Sequence, residues 1–202
     1  IRLSVVQHGA PARRLLHSAP MSTAPYSPLR AFQGRSPKLG QRVWVDPMSA
    51  VIGDVEIGDD SSIWPGVVIR ADVNYIRIGA RTSIQDGTVV HVTHDGPYTR
   101  ENGWPTLIGN DVTVGHAVVL HGCTIEDRCL IGMHASVMDG AVVKTHGFVG
   151  AGALIAPGKV VGEGELWLGN PGRLVRRLSD REIENLMYSA GHYVRLKDKY
   201  LN

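Results

Sequence analysis

The stretch IEDRCLIGMHASVMDGAVVKTHGFVGAGALIAPGKVV, residues 125–161, carries an aliphatic residue at every sixth position: Ile125, Ile131, Val137, Val143, Val149, Ile155 and Val161. An amphipathic helix repeats its apolar stripe every three to four residues, and a strand alternates every two. A strict period of six therefore fits short strands broken by turns. Working back toward the N-terminus, Leu39, Val45, Val51, Ile57, Ile63 and Ile69 keep the same period, and Ile78, Ile84, Val90, Ile108, Val114 and Leu120 share another phase. Glycine often follows the aliphatic residue, as at Gly58, Gly79, Gly109, Gly132 and Gly150. Three such strands make a triangular coil with the aliphatic row inside, and coils stack at about 4.8 Å, the spacing of neighbouring strands. Nineteen rungs make about six coils. The expected fold is an all-β solenoid in which each coil touches mainly its neighbours.

Breaks in the period mark its boundaries. Arg70–Arg77 is three residues longer than a rung, and the interval from Val90 to Ile108 is three rungs long. The centre of that second gap, HDGPYTRENGWP (His94–Pro105), is polar and turn-rich, which predicts a loop leaving the solenoid. After Val161 the repeat stops. LWLGNPGRLVR leads to Ser179-Asp-Arg-Glu182, a capping box, and Ile183, Leu186, Met187 and Ala190 follow at helical spacing. The expected organisation is an N-terminal tag, leader or arm over 1–27, a β-helix over 28–170, and a linker with one C-terminal helix over 171–202.

Net charge is +2, unevenly placed. Residues 1–45 hold seven basic residues and no acid; the remainder holds 14 basic against 19 acidic. An acidic body argues against nucleic acid as the main partner. No apolar run is as long as a membrane-spanning helix requires, so no membrane span is expected. Cys123 and Cys129 form no CxxC pair and read as reduced core thiols. The expected location is the cytoplasm, or the mitochondrion if the Arg-rich residues 1–20 are a targeting peptide.

Nine histidines are present, and placement singles out three. His91 follows Val90 and His121 follows Leu120, so both hold the same place in a rung. The interval between them is five rungs long. The loop takes up the length of two, and the three that remain are one full coil. The two imidazoles therefore stack on adjacent coils, close enough to share one ion. His116 is two past Val114, on the preceding side of the prism, and does not easily reach that ion within one subunit. A neighbour related by a three-fold axis would supply it. Three neutral imidazoles with a fourth position for water is a catalytic zinc arrangement.

RADVNYIRIGARTSIQDGTVVHVTH (70–94), IGNDVTVGHAVVLHGCTIEDRCLIGM (108–133) and the tail YSAGHYVRLKDKYL (188–201) resemble the signature segments of gamma-class carbonic anhydrases. The resemblance covers about residues 28–202 and implies a left-handed parallel β-helix of hexapeptide repeats, assembled as a homotrimer. It implies His91 and His121 from one chain and His116 from the next around a divalent metal, Zn2+ or alternatively Fe2+ or Co2+. It implies an interfacial ion pair for Arg70 and Asp72, a water-orienting role for Gln85, and a place near the site for Tyr193. Where the family prototype has two glutamates associated with proton transfer, this chain has Val73 and His94; where it has an asparagine, this chain has Ser83. His94 then stands as the proton acceptor, since imidazole titrates near neutral pH. The implied activity is hydration of carbon dioxide to bicarbonate. Two rivals share the solenoid: a hexapeptide-repeat acyltransferase, to which GNPGRLVR (169–176) also has a likeness, and a metal-binding trimer without turnover.

Overall fold

A computed structural model describes residues 26–201. Most of the arm expected over 1–27 therefore lies outside the described residues. The described chain is a three-sided parallel β-solenoid closed by one helix.

Each side carries one aliphatic row in direct strand register. On the first face the row is Leu29, Val51, Ile69, Val90, Leu120, Val137 and Ile155. On the second it is Leu39, Ile57, Ile78, Ile108, Ile125, Val143 and Val161. On the third it is Val45, Ile63, Ile84, Val114, Ile131, Val149 and Trp167. Nearly all of these side chains are buried and form one continuous core. The coil count is seven, one more than the period indicates. Trp167 occupies a rung that a search for Leu, Ile or Val passes over. Leu29 pairs with Val51 although a tight turn at Phe32–Arg35 puts it out of phase with Leu39.

The three surplus residues after Arg70 are a bulge. Gly53 pairs with Ala71 and Val55 with Ile76, so Asp54 faces four residues, Asp72 to Tyr75, inside the strand Val68–Ile78. The bulge re-aims Asp72 toward the neighbouring coil, a common use of such irregularities. The long gap is the expected excursion. Thr93 and Trp104 bridge its base, with N–H···O bonds of 2.9 and 3.0 Å in the two directions.

Turns between faces need a left-handed residue. Asp60, Arg81, Asp111, Arg128 and His146 all have φ between 55° and 61° at the corner between the second and third faces. Asp, Asn and His are enriched in that region among non-glycine residues, and stacking on successive coils turns the corner into a ladder of charge. Arg81 binds Asp111 at 2.7 Å through two nitrogens, and Arg42 pairs with Asp60. His134, with φ 58°, is likewise a corner residue.

The strand Glu165–Leu168 continues the third face, and the chain then reverses into Arg173–Arg177, antiparallel to it. The helix Asp180–Leu201 starts at Ser179 as the capping box requires: Ser179 N–H donates to the Glu182 carboxylate at 2.9 Å, and Arg176 grips the same carboxylate at 2.8 and 2.9 Å. The Arg176 guanidinium, ahead of the Ser179 donors, holds the Glu182 carboxyl down at about 2. Leu186, Ala190 and Lys197 form the buried stripe against the third face. Lys197 is 0% exposed and donates to Asp60 at 3.0 Å and Asp198 at 2.6 Å. Among the described residues no helix is long and apolar enough to cross a membrane.

Both cysteines are free and buried, and burial pushes the Cys129 thiol up to about 12. Only thiolate reacts at a useful rate. The folded protein is expected to leave both thiols unmodified by a maleimide at pH 7.5 and to give full reaction in guanidinium. Rapid labelling of the native protein, read by mass spectrometry, would contradict this burial.

Candidate metal centre

Side chains leave a strand alternately inward and outward, so the residue after each first-face aliphatic points away from the core at the face's trailing edge. That places His91 after Val90 and His121 after Leu120, and the two are direct strand partners. His91 Nδ1 and His121 Nε2 stand 3.1 Å apart. Two nitrogens bound to one tetrahedral ion at about 2.0–2.1 Å each are about 3.3–3.4 Å apart, so the pair fits a shared divalent cation. The outer nitrogens are held by carboxylates. His91 Nε2 lies 3.1 Å from Asp72 Oδ1, and His121 Nδ1 lies 2.5 Å from Asp139 Oδ1. Carboxylate–imidazole pairs of this kind fix ring orientation at metal sites.

Burial pushes the His91 imidazole below its ordinary value, against Asp72, and the nearby Arg70 guanidinium and His121 push the same way. A neutral ring is the form that binds a cation. Burial alone would raise the Asp72 carboxyl, but hydrogen bonds from His91 and Arg70 outweigh it and bring it below the usual carboxylate range. The Arg70–Asp72 pair forms within one chain.

Asp139 belongs to the site although neither the histidine spacing nor the resemblance singles it out. The repeat gives no signal for it: Leu120 pairs with Val137, so the rung place of His121 falls on Met138 one coil on, and Asp139 stands one residue further. Its approach depends on Gly122 (φ +56°), where a Cβ would sit 2.6 Å from Asp139 Oδ1 and 2.8 Å from Trp104 Cβ. Thr93 Oγ1 donates to the other Asp139 oxygen at 2.7 Å, so the base of the loop is tied to the same carboxylate.

His116, Gln85 and Tyr193 lie elsewhere. They share a cavity of about 340 Å³ between the third face and the helix, at the leading edge of the first face. Gln85 is buried. His116 Nδ1 is held by Asp86 Oδ2 at 2.9 Å, which leaves Nε2 for a ligand. Leu130, Ile131, Phe148 and Ala151 supply an apolar wall. Ser83 does not face this cavity's chemistry: its Oγ accepts from Trp64 Nε1 at 2.9 Å.

The sequence-derived residues thus fall into two groups at opposite edges of one face. Arg70, Asp72, His91 and His121 are at one edge, and Gln85, His116 and Tyr193 at the other. Between them the first face exposes Val89 and Val119. His94, exposed on the loop, lines a separate cavity with Asp72 and Val73. Among the described residues no hydrogen bond joins His94 to His91, His121 or Asp72. Among the same residues, no group of three or more His, Cys, Asp or Glu in one protomer is arranged to hold a metal ion.

The sequence pattern of the family described as Bacterial transferase hexapeptide (six repeats) matches residues 36–71 and 105–139. Protein YrdA of Escherichia coli is 53% identical over 174 residues, which cover 86% of this chain and 94% of that protein. Gamma carbonic anhydrase 2, mitochondrial, of Arabidopsis thaliana is 48% identical over 164 residues, 80% of this chain and 58% of the plant protein. Among solved structures, a hexapeptide transferase family protein from Anaplasma phagocytophilum has a TM-score of 0.78 at 40% identity, covering 85% of this chain and 97% of that one. The solenoid is therefore the left-handed parallel β-helix of hexapeptide-repeat proteins. Within that class, the chain belongs to the gamma-class carbonic anhydrase family.

Proposed function

We propose that this chain is a trimeric, metal-dependent enzyme that hydrates carbon dioxide to bicarbonate. The observation that carries the proposal is the split site. Two imidazoles in register at one edge of the first face, with carboxylates behind them, need a third ligand that their own chain keeps at the opposite edge. Three chains packed through this face, with Val89 and Val119 covered, bring His116 of one to His91 and His121 of the next. The set of three imidazoles suits Zn2+ first, and Fe2+ or Co2+ as well.

A bound divalent cation supplies Lewis acidity that lets water lose a proton near neutral pH. The remaining work falls to the chain. Asp72 and Asp139 orient the two histidines, and Arg70 keeps Asp72 ionised. The Gln85 amide orients the attacking water. Tyr193 and the apolar wall of Leu130, Phe148 and Ala151 bound a space that favours a small neutral substrate over its charged product.

Assembly gives the direct test. Light scattering on metal-loaded protein should return three times the chain mass, and Val119→Asp, which buries a charge in the proposed contact, should shift it toward one and lower metal content with it. A monomer that binds one metal per chain through all three histidines would overturn shared ligation. Stopped-flow hydration, run beside an acyl-CoA transfer assay, separates this reading from the acyltransferase that the shared fold also suits. Fully metallated trimer that hydrates no faster than buffer would leave the metal-binding scaffold as the function.

A further inference from the structure

Hydration leaves one proton to be passed to buffer each turnover, and the exposed His94 lines a cavity apart from the one that holds Gln85 and His116. The helix side of the latter offers a walled passage with a hydroxyl pair inside it. The cavity holding Gln85 and His116 adjoins a second, of about 290 Å³, and the two share Leu130, Ser189 and Tyr193 as walls. The outer one is also lined by Tyr188 and His192. Thr113 is buried on the inner wall, and its Oγ1 lies 3.2 Å from Ser189 Oγ. His192 is one turn along the helix from Ser189, on the same side. Its ring stacks on Tyr188 at 6.4 Å, meets Tyr193 edge-on at 5.4 Å, and is exposed to solvent. On the helix, the Arg195 guanidinium lies over Tyr188 at 5.9 Å; the third-face wall offers the uncharged Leu130.

We infer that His192 is the group that receives the proton and hands it to buffer, through Thr113 and Ser189. The inference rests on the hydration reading above. Water in the inner cavity gives up a proton and keeps the electron pair of the broken O–H bond, which becomes the attacking hydroxide. Each hydroxyl in the path takes a proton on oxygen and releases its own. A His192 ring nitrogen binds the proton through its lone pair, then loses it to a buffer base. One proton moves, and no oxidant or reductant is needed. The exposed ring is suited to the last step because solvent buffer reaches it directly.

The test compares metal-loaded wild type, His192→Ala, Ser189→Ala and His94→Ala in weak buffer, with and without added imidazole. His192→Ala should lose about 100-fold or more in kcat at unchanged kcat/KM and metal content, and imidazole should restore most of it. Ser189→Ala should show a similar loss that imidazole restores less, because the break lies upstream. Independently of turnover, the His192 ring signals in the NMR spectrum of the metal-free chain should move on Ser189→Ala. His192→Ala at wild-type rate in weak buffer, a buffer-dependent loss confined to His94→Ala, or His192 signals indifferent to Ser189→Ala would each overturn the route. A wild type inactive even in concentrated imidazole would instead sink the hydration reading.

Discussion

His121→Ala will leave the assembled protein without bound metal and reduce carbon dioxide hydration to the rate of buffer. The substitution removes one of the three proposed ligands and leaves the Asp139 carboxylate its hydrogen bond from Thr93. Two imidazoles from different coils or chains are too few for tight binding at a site of this kind. Gln85→Ala is the matched control. It keeps every proposed ligand, so metal content should stay near one per chain while activity falls by about 10–100-fold, the usual scale for a group behind the ligands. Elemental analysis and stopped flow on both variants decide the matter. His121→Ala that retains full metal would show that the three-histidine site is wrong.

Asp60→Ala will cost about 3 kcal/mol and loosen the C-terminal helix, on the usual scale for breaking a buried pair. Lys197 has no exposed surface and donates to Asp60 and the half-exposed Asp198. Removing one partner of a buried ion pair costs about 3–5 kcal/mol because a charge stays buried without compensation; Asp198 keeps the expected value near the lower end. Lys197→Met removes the charge itself, and Asp60 retains Arg42, so this variant should lie within about 1 kcal/mol of wild type. Urea denaturation at one protein concentration measures the difference. Near-ultraviolet circular dichroism reports docking, since the helix brings Tyr200 to 4.8 Å from Trp44 and Tyr193 to 6.2 Å from Trp64. A larger loss in Lys197→Met than in Asp60→Ala would contradict this account. The pH dependence has a definite sign. The hydrogen bond from Arg42 foremost, with Lys197 adding to it, holds the Asp60 carboxyl below its ordinary value against the effect of burial. Its contribution is therefore whole above the ordinary aspartate range and is lost as pH falls through the lowered value.

The fold was legible because a solenoid repeats one local rule. Each rung needs one inward aliphatic residue, and nineteen of them stand at fixed intervals. Where the rule changes chemistry it becomes invisible: Trp167 fills a rung as well as Ile155 does, and Leu29 joins its row across a turn. The pairing of His91 with His121 was legible for the same reason, since coil length converts sequence distance into contact. Asp139 lies one residue off that arithmetic, which points to Met138, and an aspartate beside a turn glycine looks like an ordinary turn residue until Gly122 is seen to clear its path. The grouping of Gln85, His116 and Tyr193 was not legible from the period, because the helix that completes their cavity lies outside the repeat.

The reversed strand Arg173–Arg177 bears on how such a molecule stays finite. A stack of parallel coils ends in an open edge, and an open edge invites another chain to add the next layer, the geometry from which fibrils grow. Here the last edge of the third face is already taken by a strand running the opposite way, so an incoming coil meets the wrong polarity there. Arg173 and Arg177 put like charge on this short exposed strand, while Arg176 is paired with Glu182, and two such ends repel. The same short stretch that leads the chain to its helix also stops one protein from becoming the template for an endless one.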